Sequence, residues 1–369
     1  MVFKEGRLKV AIIGLSNSGK TTVFNALTGQ SLETTIYPTT SGEPNVGVVK
    51  VPDPRLDRLS AIFKPKKTTY ATVEYIDYFG ITKGDAQQNR KVFDLIKDVD
   101  AIAHVVRAFE DETVLHPMNT IDPLRDIETV ELELMFGDFE LVEKRLHKME
   151  EASRKGKKPD ESEKKLLLKC KDALEKEIPL RNVNFTEEEK RAMRPLQFIS
   201  IKPEVVVLNV GEDTLNTESG KILLNEVKAY LQKKFGNSSL SLCGKIEMEI
   251  VRITPEDAKL FLDDLGIEEP ALSKLIHVCY DVLGLISFFT YVGDEVKSWT
   301  IPKGTNALKA AGKIHTDIER GFIKAEVVSF EDFMSTGSIH AAKEKGLLRL
   351  EGKTYEVKDG DIINFRFNV

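Results

Sequence analysis

The chain has 369 residues, of which 30% are charged and 41% hydrophobic, and its formal net charge is −6. This length predicts two or three domains with cores of their own, and the composition is typical of a globular protein. The acidic total excludes a wholesale attraction to nucleic acid, although local basic patches stay open. Three scattered cysteines, Cys170, Cys243 and Cys279, argue against a disulfide framework or a zinc site and indicate a reducing compartment.

The sequence shows neither a membrane-spanning segment nor a signal peptide. The sequence has no apolar run near the ~18 residues that a membrane-spanning helix requires, and residues 1–5 lack the apolar core of a signal peptide. We therefore expect a cytoplasmic protein without a membrane partner, and we expect it to be a monomer.

The first predicted element is a buried strand over residues 8–13, followed by residues 14–21, which match G-x-x-x-x-G-K-[ST], and by the start of a helix. A strand, a glycine-rich turn and a helix N-terminus form a phosphate cradle, in which Lys20 contacts the β/γ oxygens and the Thr21 hydroxyl contacts Mg²⁺. The nucleotide-binding residues predicted here are Asn17, Ser18, Gly19, Lys20, Thr21 and Thr22.

A polar, turn-rich loop over residues 37–47 follows the first helix and leads into a strand over residues 46–51. In nucleotide switches such a loop closes over Mg²⁺ and the γ-phosphate through a hydroxyl group. Thr40 and Ser41 are the candidates for that hydroxyl.

The next strand, over residues 72–77, ends in a D-x-x-G segment made of Asp77 and Gly80. The carboxylate can hold Mg²⁺ through water, and the glycine amide can reach the γ-phosphate. Ras-like GTPases place a water-orienting glutamine directly after this glycine, whereas this chain has Ile81. Because isoleucine makes no hydrogen bond through its side chain, hydrolysis must be slow or be assisted from elsewhere.

A strand over residues 101–107 is followed by a loop over residues 109–117. Loops at such strand ends face the nucleotide crevice of an open α/β sheet. His116 is therefore a candidate for positioning the attacking water, and an exposed histidine without a role is the alternative.

Between residues 127 and 180 apolar residues recur at steps of three and four, with an interruption at residues 156–162. This periodicity predicts two antiparallel helices joined by a polar tip. Residues 154–158 make the tip basic, so a solubilising loop and an RNA-contacting tip both remain open.

The sheet is predicted to resume with strands over residues 197–200 and 203–209. The second strand ends in Asn209-Val210-Gly211-Glu212, where guanine-specific proteins carry N-K-x-D. The longer glutamate and the missing lysine argue against guanine and favour ATP, because adenine does not need the carboxylate. A final strand and loop over residues 241–247 flank the base. The predicted base-site residues are Asn209, Val210, Glu212, Gly244 and Lys245.

These segments resemble the YchF or Obg-like ATPase family, in the Obg branch of the translation-factor-related P-loop proteins. The resemblance covers nearly the whole chain. Its matching segments are residues 14–22, 43–49, 51–57, 77–80, 209–212, 299–301, 310–317, 320–327 and 359–365.

The resemblance implies an α/β fold made of a P-loop NTPase domain, an inserted antiparallel helical hairpin or coiled coil, and a C-terminal β-grasp (TGS) domain. The implied boundaries are residues 1–126 and 197–280 for the P-loop domain, 127–196 for the hairpin and 281–369 for the β-grasp domain.

The resemblance also implies slow Mg²⁺-dependent ATP hydrolysis, tolerance of GTP, and binding to ribosomes as a switch linked to translation or stress. His116 matches the family's proposed catalytic histidine, and Lys20 and Gly80 complete the expected catalytic set. Mg²⁺ would be held by Thr21, Ser41 and Asp77. Asn17 matches an asparagine that helps to hold K⁺ in related proteins, which makes K⁺ a candidate cofactor.

Other functional classes stay open. One is a nucleotide-gated ribosome-binding module in which hydrolysis is incidental, and another is a true GTPase that regulates translation or ribosome assembly. A redox sensor acting through Cys243 is a more distant alternative, because nothing near this thiol in the sequence predicts a lowered pKa.

Overall fold

The computed structural model describes residues 8–32, 43–156, 158, 160–212, 214, 217–234, 238–264 and 269–368. Contacts divide the described chain into two compact units. The larger unit comprises residues 9–47 and 74–275, and the smaller unit comprises residue 8 and residues 48–73 and 276–368. No helix in the described ranges is long and apolar enough to cross a lipid bilayer.

The strands are β1 (Leu8–Ile13), β2 (Asn45–Lys50), β3 (Lys67–Thr69), β4 (Thr72–Asp77), β5 (Ala101–Ala108), β6 (Glu204–Val210), β7 (Ser238–Leu242), β8 (Leu285–Val292), β9 (Glu295–Pro302), β10 (Phe322–Ser329), β11 (Arg349–Glu351) and β12 (Asp361–Phe367). The helices are α1 (Lys20–Thr28), α2 (Pro54–Phe63), α3 (Ala86–Ile96), α4 (Pro123–Arg154), α5 (Glu161–Glu175), α6 (Glu187–Met193), α7 (Glu218–Lys234), α8 (Gly244–Arg252), α9 (Pro255–Asp264), α10 (Ala271–Val282), α11 (Ala307–Ile314), α12 (Thr316–Arg320), α13 (Phe330–Thr336) and α14 (Ile339–Glu344).

One sheet has the strand order β2-β4-β1-β5-β6-β7. The strands β1, β5, β6 and β7 pair in parallel, and every residue of β5 and β6 is buried. Parallel strands buried on both faces read as continuous apolar runs, which is why the sequence places β1, β5 and β6 within one or two residues of their true positions. The position of β4 follows instead from the alternation of partly exposed and buried residues over its first four positions. The phosphate loop follows the central strand β1.

The N-terminus of helix α4 is well capped. Asp122 accepts a hydrogen bond from the Arg125 N–H, and Pro123 occupies the first turn. Two ion pairs join it to α5. Arg145 pairs with Glu163 and Glu143 pairs with Lys171, so the residue numbers fall along one helix as they rise along the other. These contacts place α4 and α5 antiparallel, around an apolar core that includes Val142.

The strand predicted over residues 197–200 is wrong. The backbone N–H groups of Ile199 and Ser200 donate to the carboxylate of Asp138 at 2.7–3.1 Å, and the Ser200 hydroxyl donates to it at 2.6 Å. Phe198 packs into the core between α4 and α5. Asp138 therefore captures the N–H groups that a strand would have used for pairing, a contact across about 60 residues that local pattern does not reveal.

The smaller unit contains a second sheet, with the order β11-β10-β12-β8-β9-β3. The hairpin β8-β9 is followed by α11, and β12 pairs in parallel with β8 beside that hairpin. This is the arrangement of a β-grasp, as predicted.

Residues 48–73 complete this sheet, although they precede it by more than 200 positions. The strand β3 pairs in parallel with β9, with Lys67 opposite Glu295. Leu56 and Leu59 of α2 are fully buried against Phe289 and neighbouring side chains. This division differs from the predicted boundaries, which kept the segment within residues 1–126.

Candidate functional site

The loop between β1 and α1 has the conformation that its glycines predict. Gly14 has φ +149° and Gly19 has φ +90°, in the region that favours glycine. A side chain at Gly14 would lie 2.2 Å from the Val105 carbonyl oxygen, and one at Gly19 would lie 2.1 Å from Asn209 Nδ2. The helix α1 has no side-chain cap, so its first N–H groups are available to an anion.

Lys20 folds back along this loop, where its Nζ donates to the Leu15 carbonyl oxygen at 2.8 Å. The residue is 8% exposed. Burial lowers the pKa of Lys20 to about 8, and the Asp77 carboxylate partly offsets that effect. A buried ammonium group is strongly stabilised by an anionic partner, so a bound phosphate would replace the carbonyl oxygen as the partner of Lys20.

Thr21 and Asp77 meet beside Lys20. The Thr21 hydroxyl donates to Asp77 Oδ2 at 2.8 Å, while Asp77 Oδ1 is buried and makes no well-aligned hydrogen bond within the described residues. Burial raises the pKa of Asp77, and Thr21, Lys20 and the nearby Asn45 amide act against that rise. A hydroxyl next to a carboxylate with an unused oxygen fits the donor set that Mg²⁺ prefers. Ser41, the third predicted ligand, lies outside the described residues.

Gly80 approaches the phosphate loop closely. A side chain there would lie 2.4 Å from Ser16 Oγ and 2.8 Å from the Ser16 amide nitrogen. The next residue, Ile81, donates its N–H to the Gly14 carbonyl at 3.0 Å, and its side chain is 1% exposed in the hydrophobic core. The position that carries glutamine in Ras-like proteins is therefore occupied by a side chain that faces the core.

Arg107 organises the loop after β5. Its guanidinium donates to the carbonyl oxygens of Phe109, Asp111 and Val114 at 2.9–3.2 Å, and it stacks on the Phe109 ring with 4.6 Å to the centroid. A charged residue at the end of an apolar strand was a signal for this role, and sequence reasoning did not use it.

The same loop borders the phosphate cradle. Asn17 Nδ2 donates to the Leu115 carbonyl at 2.9 Å. Phe109 lies beside two glycines, since a side chain at Gly19 would come within 3.8 Å of its ring and one at Gly211 would come within 3.7 Å of its Cβ. Phe109 thus joins the phosphate loop to the predicted base loop, a placement that the sequence did not suggest.

His116 follows in this loop, with its ring turned inward. Nδ1 accepts a hydrogen bond from the Met118 N–H at 3.1 Å, and Nε2 lies 2.8 Å from Asp126 Oδ2. Burial lowers the pKa of His116, and the Asp126 carboxylate offsets part of that effect. Both ring nitrogens are occupied in this conformation, so the water-positioning role of His116 remains a prediction.

Asn209 braces the loops around the site. Its Nδ2 donates to the Ser18 carbonyl at 3.2 Å, and its Oδ1 accepts from the Gly244 N–H at 3.0 Å. A side chain on Gly244 would lie 3.2 Å from the Thr22 methyl group, which places Thr22 beside the same junction.

The remaining predicted base-site residues divide into two groups. Val210 is buried in the hydrophobic core and lies in the β5–β6 pairing, opposite Ala108. Glu212 and Lys245 are exposed. Burial raises the pKa of the Cys243 thiol, which argues against the redox alternative.

A loop built in this way between a parallel strand and a helix is the phosphate site of the P-loop nucleotide-binding proteins, and the chain is one of them. A family model described as "50S ribosome-binding GTPase" matches residues 9–135. A second model, YchF-GTPase_C, described as "Protein of unknown function (DUF933)", matches residues 285–368.

Relatives match over their full length. "Ribosome-binding ATPase YchF" of Bacillus subtilis (strain 168) is 43% identical over 98% of this chain and 100% of its own. The protein of the same name from Escherichia coli O157:H7 is 40% identical over 98% and 99%. The solved Schizosaccharomyces pombe YchF GTPase has a TM-score of 0.83 at 30% identity, with 98% of each chain covered. The chain belongs to the YchF family, which confirms the predicted resemblance.

Proposed function

We propose that this protein is a cytoplasmic ribosome-binding ATPase that hydrolyses ATP slowly with Mg²⁺ and accepts GTP less well. The proposal depends on one observation: Lys20, Thr21 and Asp77 lie together in the phosphate site, next to Ile81, whose side chain faces the core. The first three residues supply the electrostatics of phosphoryl transfer, and the isoleucine accounts for slow intrinsic turnover. The names of the bacterial relatives support both ATP and the ribosome as partners.

In this mechanism the loop N–H groups and Lys20 bind the β- and γ-phosphates and offset the charge that develops on them. Thr21 and Asp77 would hold Mg²⁺, with Ser41 as the proposed third ligand. When bound, the metal neutralises the phosphate oxygens and orients them for in-line attack. The Gly80 amide would contact the γ-phosphate.

His116 would position the attacking water once its ring leaves Asp126. We expect His116→Ala to bind ATP as the wild type does but to lose most of its turnover, since one positioned acid–base group contributes roughly 10²- to 10⁴-fold. Single-turnover hydrolysis measures this loss, and an unchanged rate would remove His116 from the mechanism.

The base loop supports ATP over GTP. The Asn209 side chain is already bonded on both its nitrogen and its oxygen, so bracing is its supported role. Glu212, which stands in place of the guanine-reading aspartate, is exposed. Neither residue offers the buried carboxylate that guanine donors need.

A true GTPase is the second candidate, because the S. pombe relative is named a GTPase and the family that matches residues 9–135 is described as one. Titration calorimetry with Mg²⁺ separates the two. We expect tighter ATP than GTP binding for the wild type, and a shift toward GTP for Glu212→Asp. Tighter GTP binding by the wild type would establish the second candidate.

We propose that the α4–α5 hairpin and the β-grasp domain contact the ribosome, with the boundaries given above for each domain. The basic tip is the test site. Replacing Arg154, Lys155 and Lys158 with glutamate should reduce co-sedimentation with ribosomes at least tenfold and make the remaining binding less dependent on salt concentration. ATP affinity is the control, and co-sedimentation equal to that of the wild type would place the contact elsewhere. A monomeric state and a K⁺ role for Asn17 complete the proposal.

A further inference from the structure

The His116 ring is packed against the first turn of α4. Asp126, which lies in that turn, is 2% exposed, and its Oδ2 is 2.8 Å from His116 Nε2. Since His116 Nδ1 accepts from the Met118 amide, the ring proton resides on Nε2, next to the carboxylate. We call this contact the His116–Asp126 latch.

Asp126 divides its two oxygens between two partners. Arg125 donates from Nε at 3.0 Å and from Nη2 at 2.7 Å, both to Oδ1. Oδ2 is thereby left for His116. The carboxylate is fixed in place by its neighbour, and its second oxygen holds the Nε2 side of the histidine ring while the Met118 N–H holds the Nδ1 side.

The latch can open by rotation of the ring, because Nε2 is held by Asp126 through one contact, 2.8 Å from Oδ2. Leu115, the preceding residue, is anchored to the phosphate loop by Asn17, so the ring can turn while its backbone stays beside the nucleotide.

Building on the proposed role of His116 in hydrolysis, we propose that Asp126 is a positioning residue that holds His116 in a resting orientation and so limits turnover. A histidine that orients water needs a nitrogen that no protein group occupies. Release from Asp126 must therefore precede each catalytic event, and the fraction of time that the latch is open scales the rate.

The latch also connects the site to the hairpin. Asp126 and Glu131 belong to the same helix, α4, which continues to Arg154. Glu131 pairs with Arg181, from the segment after α5, and Arg181 pairs with Glu204 of β6 at 2.8 Å. A partner that binds the hairpin and displaces α4 would move Asp126 with it. In this way ribosome binding at the hairpin would change how His116 is held, and with it the rate of ATP hydrolysis.

Asp126→Asn tests the latch. The asparagine can still accept from Arg125, but its NH₂ group would face the His116 N–H, donor against donor, so the ring should be released. Diethylpyrocarbonate modification, followed by mass spectrometry, reports on the accessibility of His116. His147 and His340, with 70% and 82% of their side chains exposed, serve as internal standards. We expect modification of His116 to accelerate at least threefold, and ribosome-free ATP turnover to rise by a similar factor without a change in KM.

Three further variants sharpen the test. Glu128→Gln is the matched control, because this carboxylate stands on the same helix but pairs with Tyr230 and Lys234; it should change neither readout. Asp126→Asn with His116→Ala should be as slow as His116→Ala alone. Arg125→Gln leaves the carboxylate to His116 and should tighten the latch, slowing both modification and turnover even if Asp126→Asn folds poorly.

The outcomes separate the two proposals. If His116→Ala turns over ATP at the wild-type rate, the proposed role of the histidine fails. If His116→Ala is slow while folded Asp126→Asn leaves modification and turnover unchanged, the role stands and the latch is wrong. Circular dichroism melting identifies which variants are folded.

Discussion

Thr21 Oγ1 lies 2.8 Å from Asp77 Oδ2, which joins the first helix to the end of β4 across the phosphate cradle. Asp77→Asn keeps the shape but removes the charge that attracts a cation. We expect Mg²⁺ affinity in the nucleotide complex to fall about 10- to 100-fold, as for other groups that orient or support a metal ligand. Metal titrations of a fluorescent ATP analogue measure this. Asp94→Asn, an exposed carboxylate on α3, should leave the titration unchanged.

The space at Gly80 allows no side chain. Gly80→Ala would place a carbon 2.8 Å from the Ser16 backbone nitrogen, which cannot rotate away. We expect the free energy of unfolding to fall by about 1–3 kcal/mol and ATP turnover to drop, because the phosphate loop must shift. Urea denaturation and steady-state hydrolysis measure the two effects. Gly352→Ala, where a side chain meets open space, is the comparison, and an equal loss there would show that the Ser16 contact is not the cause.

The buried side chain of His104 should make the stability of the fold sensitive to acid. It is 1% exposed and lies 3.0 Å from Glu204 Oε1. Burial lowers the pKa of His104 from 6.5 to about 4, although the Glu131 carboxylate opposes that effect. The unfolded chain therefore binds this proton more readily than the folded one, so stability is complete above pH 6.5 and declines as the pH falls toward 4.

His104→Gln should remove this decline, which amounts to about 3 kcal/mol over the full interval. The measurement is the difference in unfolding free energy between neutral and acidic pH, for wild type and variant. His147→Gln, an exposed position, should retain the wild-type difference. A variant that loses as much stability in acid as the wild type would assign the sensitivity to other groups.

Leu59 tests the contribution of the early segment to the smaller unit. It is fully buried in a core shared with Phe289 and Phe333. Leu59→Ala should lower the free energy of unfolding of that unit by about 2–5 kcal/mol through the cavity it leaves. Hydrogen exchange of the β9 and β12 amides reports on this unit directly. Ile62→Ala, at a position 39% exposed on the same helix, should cost below about 1 kcal/mol.

Local signals predicted the nucleotide half of the fold well. The β1 strand, the phosphate loop and the strand that ends at Asp77 each rely on residues adjacent in the chain, so periodicity and turn chemistry sufficed. The β-grasp fold of the C-terminal domain was predicted from the family resemblance, without its strand order.

What the sequence did not reveal depends on contacts between residues that are not adjacent in the chain. Asp138 captures the amides near Ser200, Asp126 holds His116, and Phe109 fits between two glycine loops. Each requires a tertiary contact that no local pattern encodes. The role of His116 was predicted from its position in a loop, whereas the occupation of both its nitrogens could be seen only in three dimensions.

The shared core of residues 48–73 with β8 and β9 has a consequence for synthesis. The α2 and β3 segments leave the ribosome roughly 200 residues before the strands that they pack against. At translation rates of about 5–20 residues per second, that interval lasts ~10–40 s. Throughout it, Leu56 and Leu59 have none of the C-terminal side chains that bury them in the finished protein. The nascent chain therefore carries these two leucines without their final apolar partners until β8 and β9 have been made, which gives chaperones a longer time to bind this segment than in a protein whose neighbouring segments pack first.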